Sequence, residues 1–90
     1  MNIKRSKLLN KLQNAVGAYT VVYVKKDGTP RILHGVNGIE HNLKGGVSLV
    51  EQDNNDLFVT FDIDKIAYRT INLATTIRIR VGGRNYEVVD

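Results

Sequence analysis

Residues 76–89 read TIRIRVGGRNYEVV, and this stretch decides the class of fold. Apolar and polar residues alternate strictly over its first six positions, which predicts a strand with one buried and one exposed face. Gly82-Gly83 predicts a tight turn into a last strand over Asn85–Val89. The first strand divides into an apolar face and a polar face, formed by Ile77, Ile79 and Val81 and by Thr76, Arg78 and Arg80.

Upstream stretches have the β-branched and aromatic composition of strands. The first two form a predicted hairpin whose loop is Lys26–Pro30. In this loop Gly28 supplies a positive φ, and Pro30 stands where the second strand has barely begun. The predicted strands of this part of the chain are 18–26, 31–36, a short candidate at 47–50, 57–63 and 68–72.

The N-terminal segment has helical spacing. Its apolar residues are Leu8, Leu9, Leu12, Ala15 and Val16, which form one stripe of a helix. Ser6 is the expected N-cap and Gly17 the residue just past the end, so the helix is predicted over 6–16. A helix this short is unstable alone in water, so it must pack on its own domain or on a partner.

These elements predict one mainly β domain over residues 1–90, because a chain of this length has room for a single core. Short strands with tight turns favour a small barrel or sandwich, since closing the sheet removes exposed edges. We predict a helix over 1–17, followed by a barrel of about five or six strands over 18–90.

Composition restricts the class of protein. There is no cysteine, which excludes disulfides and thiolate metal sites. No signal-peptide core and no apolar run near ~20 residues occurs, so we expect a soluble, cytoplasmic protein. The net charge of +4 is unevenly distributed: residues 1–26 contain six bases and no acid, residues 40–64 sum to −5, and residues 65–90 sum to +3. Segregation of this kind is typical of a face that binds polyanions, and also of ordinary surface segments.

Catalytic and metal-binding motifs are missing from the sequence. No phosphate-binding loop and no dinucleotide fingerprint is present. His34, Glu40 and His41 lack the spacing of metal ligands, and the acidic run 53–56 lacks the rest of a calcium loop. Asp62 and Asp64 fit a charged strand end better than an acid/base pair. We therefore expect no enzyme, no cofactor and no metal.

Four stretches resemble a known family. Residues 57–63, 67–77 and 81–88 are similar to small WYL-like domains with an Sm-like SH3 β-barrel fold, and residues 24–31 resemble that family's opening Lys-Lys-Asp-Gly-Thr segment. Tyr68-Arg69-Thr70 matches an aromatic-Arg-Ser/Thr step in which tryptophan is commoner than tyrosine. Such domains are frequent in tailed-bacteriophage genomes, so the resemblance implies an SH3-like barrel over 19–89 of a phage-encoded protein acting in the host cytoplasm. Larger WYL regulators sense nucleic-acid-type ligands.

Nucleic-acid binding is the leading hypothesis for function. Small barrels bind strands by combining cations with exposed aromatic rings. Tyr19 and Tyr23 share one face of the first barrel strand and are candidates for stacking, unless they belong to the core. The predicted nucleic-acid-binding cations are Arg78 and Arg80, with Lys25, Lys26 and Arg69 next.

Two alternatives remain open from the sequence. In the first, the domain is a protein-interaction module that binds and modulates a host protein, with Leu8, Leu9 and Leu12 as possible contacts. In the second, the chain forms a homo-oligomer through Asn85–Val89, a candidate edge strand.

Overall fold

The strands form one sheet that wraps a single core. A computed structural model describes residues 1–38 and 56–90, and the candidate strand 47–50 lies outside them. The described part contains seven strands, one more than the upper expectation, and a short α-helix. In chain order these elements are β1 (Asn2–Lys4), a 3-10 turn (Arg5–Lys7), α1 (Leu8–Gln13), β2 (Tyr19–Val24), β3 (Pro30–Val36), β4 (Leu57–Asp62), β5 (Ala67–Asn72), a 3-10 turn (Leu73–Thr75), β6 (Thr76–Val81) and β7 (Arg84–Val89).

The strand order in the sheet is β1-β7-β6-β2-β3-β4-β5. Several neighbouring strands of the sheet are consecutive in the chain and form antiparallel hairpins, such as β2 with β3 and β4 with β5. The 3-10 turn Leu73–Thr75 redirects the chain after β5, so that β6 returns to pair with β2. This return brings the second half of the sequence beside the first barrel strand.

One cluster of buried side chains forms the core. The inward-facing residues of β2 alternate strictly with half-buried ones, as expected for a strand with one face on a core. Leu8 and Leu12 of α1 are fully buried in the same cluster, so the helix packs on its own barrel and these two leucines are not accessible to a partner protein. The buried apolar residues are Leu8, Leu12, Tyr19, Val21, Tyr23, Leu33, Phe58, Ile71, Leu73 and Ile79.

The helix is shorter than its apolar stripe predicts. It begins at Leu8 and ends at Gln13, and Ser6 lies in the preceding 3-10 turn and does not cap α1. The Leu12 carbonyl accepts a 3-10 bond from Ala15 N–H and a 2.7 Å bond from Nδ2 of Asn37, and these contacts end the α-helical pattern. Val16 is consequently 93% exposed.

The strand β1 was not predicted. It pairs in parallel with β7, placing Ile3 beside Val88. An ion pair between Arg5 and Asp90 holds the two chain ends together. The prediction of β7 as a sheet edge is therefore wrong, because β1 covers it, and among the strands that the structure describes the outermost two are β1 and β5.

The predicted alternation of β6 fails at its first two residues. Thr76 is fully buried and Ile77 is 47% exposed, the reverse of the expectation. The cause is a β-bulge: Val22 pairs with Arg78 and Tyr23 with Thr76, which leaves Ile77 as the extra residue. The buried Thr76 hydroxyl donates a 3.0 Å hydrogen bond to the Asn72 carbonyl, which satisfies it inside the core.

No helix within residues 1–38 and 56–90 is long and apolar enough to cross a membrane.

Candidate nucleic-acid interface

The exposed side of β7, β6, β2 and β3 forms a continuous surface, here named the outer face. Buried residues at alternate positions of β2 fix this side as the one pointing away from the core. The strand register aligns two rows of side chains across it. One row is Asn85–Arg80–Thr20–His34 and the other is Glu87–Arg78–Val22–Ile32.

Arg78 and Arg80 lie together on the outer face, as predicted. They are two residues apart on β6, which separates their Cα atoms by roughly 6.6 Å. Both side chains are exposed, since the bulge lies before Arg78 and leaves the alternation beyond it intact. The expected juxtaposition of two cations is therefore present.

The two arginines differ in their partners. Arg78 Nε lies 2.7 Å from Oε2 of Glu87, its cross-strand neighbour, and both side chains are more than half exposed. Arg80 faces Thr20 and Asn85, and within the described residues its guanidinium forms no ion pair and no side-chain hydrogen bond. Arg80 is thus available to bind an anion, whereas Arg78 must first break its ion pair with Glu87.

Lys25 and Lys26 lie in the exposed turn at the end of β2. The turn is closed by bonds from Lys25 N–H to the Thr29 carbonyl, at 2.8 Å, and from Gly28 N–H to the Lys25 carbonyl, at 2.9 Å. Gly28 has φ +87°, as predicted. Lys25 is three residues beyond the neighbour of Arg78, about 10 Å along the strand.

The carboxylate of Asp27 stabilises this turn. It accepts hydrogen bonds from the hydroxyl and the N–H of Thr29, at 2.6 and 3.0 Å. These bonds lower the pKa of Asp27 below its ordinary value, and the positive charge of Lys25 lowers it further. Asp27 therefore stays ionised beside the two lysines and offsets part of their charge.

Arg69 does not belong to the outer face, and its grouping with the other four cations is wrong. It lies two residues before buried Ile71 on β5, so the two side chains share a face and Arg69 projects toward the inner side of the sheet. Its Nε lies 3.4 Å from Oδ2 of Asp62, and Nη2 of Arg31 lies 3.9 Å from the same oxygen. The sequence interpretation assigned Asp62 to a charged strand end and did not select Arg31, because their association depends on how β3, β4 and β5 curve around the core.

The tyrosines expected to stack on bases are absent from the outer face. Tyr19 and Tyr23 are 2% and 9% exposed and belong to the core. Burial raises the pKa of Tyr19 above its ordinary value. The two remaining tyrosines are half-buried: the Tyr68 ring lies edge-on to Phe61, and the Tyr86 ring lies 5.0 Å from Nζ of Lys11.

The centre of the outer face is apolar. Ile32 is 61% exposed and Ile77 is 47% exposed, while Val22 lies half-buried beside them. The bulge brings Ile77 to this side of the sheet, and the sequence alternation placed it in the core. The aliphatic residues Val22 and Ile32 therefore lie in the same row as Arg78, with Arg80 in the neighbouring row and the two lysines beyond the other end of β2.

The part of the chain that the structure describes contains no group of three or more residues suited to hold a metal. His34 lies on the outer face, with Nε2 4.0 Å from Asp64 Oδ2. Glu40, His41 and most of the acidic run 53–56 lie outside the described residues.

A family model for WYL_2, described as an Sm-like SH3 beta-barrel fold, matches residues 5–77 of this chain. The chain belongs to the WYL_2 family. This match confirms the resemblance based on residues 24–31, 57–63 and 67–77, and extends it to the N-terminal helix. The WYL_2 match ends inside β6, so β7 lies beyond it. No curated protein and no solved structure matches this sequence.

Proposed function

We propose that this WYL_2 protein is a non-enzymatic binding module that holds a nucleic-acid backbone on its outer face. The observation that carries the proposal is Arg80, an exposed arginine without an ion pair among the described residues, beside exposed Arg78. The full chain contains thirteen Lys and Arg against nine Asp and Glu, a formal net charge of +4. Such an excess favours association with a polyanion.

The mode of binding follows from the residue types. Phosphate contacts require cations, and Arg78, Arg80, Lys25 and Lys26 supply them. Base stacking requires exposed aromatic rings, and among the described residues of the outer face no Phe, Tyr or Trp is exposed, which leaves the imidazole of His34 as the one exposed ring. We therefore expect backbone contacts with little sequence preference and a strong dependence on salt.

A phage origin and the host cytoplasm are part of the proposal. They rest on the similarity of residues 24–31 and 67–70 to domains that are frequent in tailed bacteriophages.

A second candidate function is the binding of a host protein on the same surface. The observation that favours it is the exposed aliphatic centre of Ile32, Ile77 and Val22. Aliphatic side chains offer no stacking platform for bases, whereas they suit the apolar core of a protein interface. A protein partner would place an apolar patch there and acidic groups opposite Arg78 and Arg80.

A salt titration tests the first function. Fluorescence anisotropy is measured with labelled duplex DNA, single-stranded DNA and RNA for the wild type. While Glu87 holds Arg78, contacts by Arg80, Lys25 and Lys26 give the wild type a slope of log affinity against log salt of about −2.7 for a duplex, and about −3.6 is reached only when Arg78 also contacts a phosphate. The double variant Arg78→Gln/Arg80→Gln is expected to reduce the wild-type slope to about −1.8.

A matched control removes the same charge elsewhere. Lys7 and Lys65 are exposed and lie outside the four strands of the outer face, in a 3-10 turn and in the β4–β5 turn. Lys7→Gln/Lys65→Gln should keep a slope near the wild-type value. Equal loss in both double variants would show binding by net charge alone and would contradict a defined face. If no nucleic acid binds at low salt, the proposal is wrong, and Ile32→Ser/Ile77→Ser then becomes the test of the protein-binding candidate.

A further inference from the structure

A buried carboxylate and two arginines meet on the inner side of the sheet. We name Asp62, Arg31 and Arg69 the Asp62 cluster; they lie on β4, β3 and β5. Asp62 is 2% exposed, and its Oδ1 accepts hydrogen bonds from the N–H groups of Asp64, at 2.9 Å, and Lys65, at 3.1 Å. Oδ2 is the oxygen that lies nearest to both guanidinium groups.

The carboxylate does not satisfy the arginines. Oδ2 lies 3.4 Å from Arg69 and 3.9 Å from Arg31, whereas charge-assisted N–H···O bonds are about 2.7–2.9 Å long. Nε of Arg31 is buried and has no hydrogen-bond partner among residues 1–38 and 56–90. The cluster has two positive charges against one negative charge, so it retains an excess positive charge and unused donors.

The two arginine side chains are close together and partly accessible. They are 26% and 41% exposed, so solvent reaches part of each, although Nε of Arg31 itself is buried. Because both nitrogens lie within 3.9 Å of one oxygen, they are at most roughly 8 Å apart, which an oxyanion spans with two ordinary bonds. A planar guanidinium fork suits a phosphate particularly well.

We propose that Arg31 and Arg69 form a binding site for a small tetrahedral oxyanion, phosphate or a phosphate monoester. Asp62 is a positioning residue: its backbone bonds fix the carboxylate, and the carboxylate holds the two guanidinium groups at a common point. The bound oxyanion bridges the two guanidinium groups from the solvent side and supplies acceptors that Asp62 lacks. The site lies on the opposite side of the sheet from Arg78 and Arg80, so it does not depend on the proposed function.

The test is a titration of inorganic phosphate followed by NMR of the arginine Nε–Hε groups. Ionic strength is held constant with sodium chloride, and the full chain is used. The Arg31 and Arg69 signals are expected to shift together and saturate with one dissociation constant, while those of Arg78 and Arg80 stay largely unchanged. Absence of saturable shifts, or equal shifts at all four arginines, would overturn the proposal.

Variants and related ligands sharpen the result. Arg69→Lys keeps the charge but removes the fork, and is expected to weaken phosphate binding by roughly tenfold or more. Lys26→Gln, on the turn of the outer face, is the control and should bind phosphate as the wild type does. A nucleoside monophosphate and a 5′-phosphorylated oligonucleotide distinguish the source: tighter binding of either assigns the site to a monoester, and equal binding assigns it to free phosphate. Since the wild-type titration decides alone, a variant that fails to fold leaves the test intact.

Discussion

Glu87→Gln is expected to strengthen nucleic-acid binding by the proposed outer face. The Glu87 carboxylate lies 2.7 Å from Arg78 Nε, and a phosphate must displace it to reach the same guanidinium. Since the two side chains are 57% and 53% exposed, the pair contributes at most about 1 kcal/mol. Removing it should raise affinity up to about fivefold and change the slope of log affinity against log salt from about −2.7, for three contacts, to about −3.6, for four.

The assay is the anisotropy titration with labelled duplex DNA between 20 and 200 mM salt, roughly the range over which counterion release is steep. Asp64→Asn raises the net charge by the same one unit as Glu87→Gln, but at a residue three strands away from β6, about 14 Å across the sheet. It should raise the affinity for DNA less than Glu87→Gln does and leave the slope unchanged. The two variants should differ little in stability, since both side chains are exposed. Unchanged affinity and slope in Glu87→Gln would refute the participation of Arg78.

Two predictions concern the core. Gly35→Ala should lower the free energy of unfolding by about 1–3 kcal/mol and the melting temperature by roughly 4–20 °C. The reason is that the new Cβ would lie 2.7 Å from Thr60 Oγ1 and 2.8 Å from Tyr19 Cε1. A thermal melt checks this, and an unchanged melting temperature would contradict the packing. The wild type should lose stability as pH rises above 10.0, because the unfolded Tyr19 ionises there while burial keeps the folded hydroxyl protonated. Tyr19→Phe should remove that part of the alkaline loss in denaturant titrations at pH 9–12, and an identical pH dependence in both proteins would refute the assignment.

Local sequence signals predicted the hairpins well. The loop Lys26–Pro30 combines a positive-φ glycine with a proline at the start of β3, and both features depend only on the residues themselves. The Gly82-Gly83 turn is of the same kind, with both φ values positive. Short-range chemistry therefore fixed the strand ends, and the family resemblance supplied the way in which the strands assemble.

Features that depend on distant partners were not predictable from the pattern. The bulge at Ile77 arises from the pairing of β6 with β2, more than fifty residues earlier in the chain. Strand β1 is only three residues long and has a parallel partner at the opposite chain end. A strand of this length carries no periodicity to detect.

The candidate site was partly predictable for the same reason. The neighbours Arg78 and Arg80 share a face by strand geometry alone. Arg69 has the same composition signal, but its position relative to Asp62 and Arg31 depends on the curvature of the sheet. Tyr19 and Tyr23 of β2 also share a face, as predicted. The alternation of residues shows that they share a face but does not show whether that face is buried against the core or exposed to solvent.

The arginines of this protein differ in the hydrogen bonds and ion pairs that they form. This difference decides whether a loss of nucleic-acid binding in an arginine variant reports on the binding face or on folding. Arg5 donates to the carbonyls of Leu73 and Thr76, at 2.7 and 2.9 Å, and so ties the N-terminus to the turn before β6. Replacing it leaves buried acceptors without partners and damages the fold. Within the described residues Arg78 pairs with an exposed carboxylate and Arg80 has no ion pair, so replacing both changes stability by about 1 kcal/mol or less. A binding defect in the Arg78→Gln/Arg80→Gln variant therefore reports on the outer face itself, whereas the same defect in an Arg5 variant reports on folding.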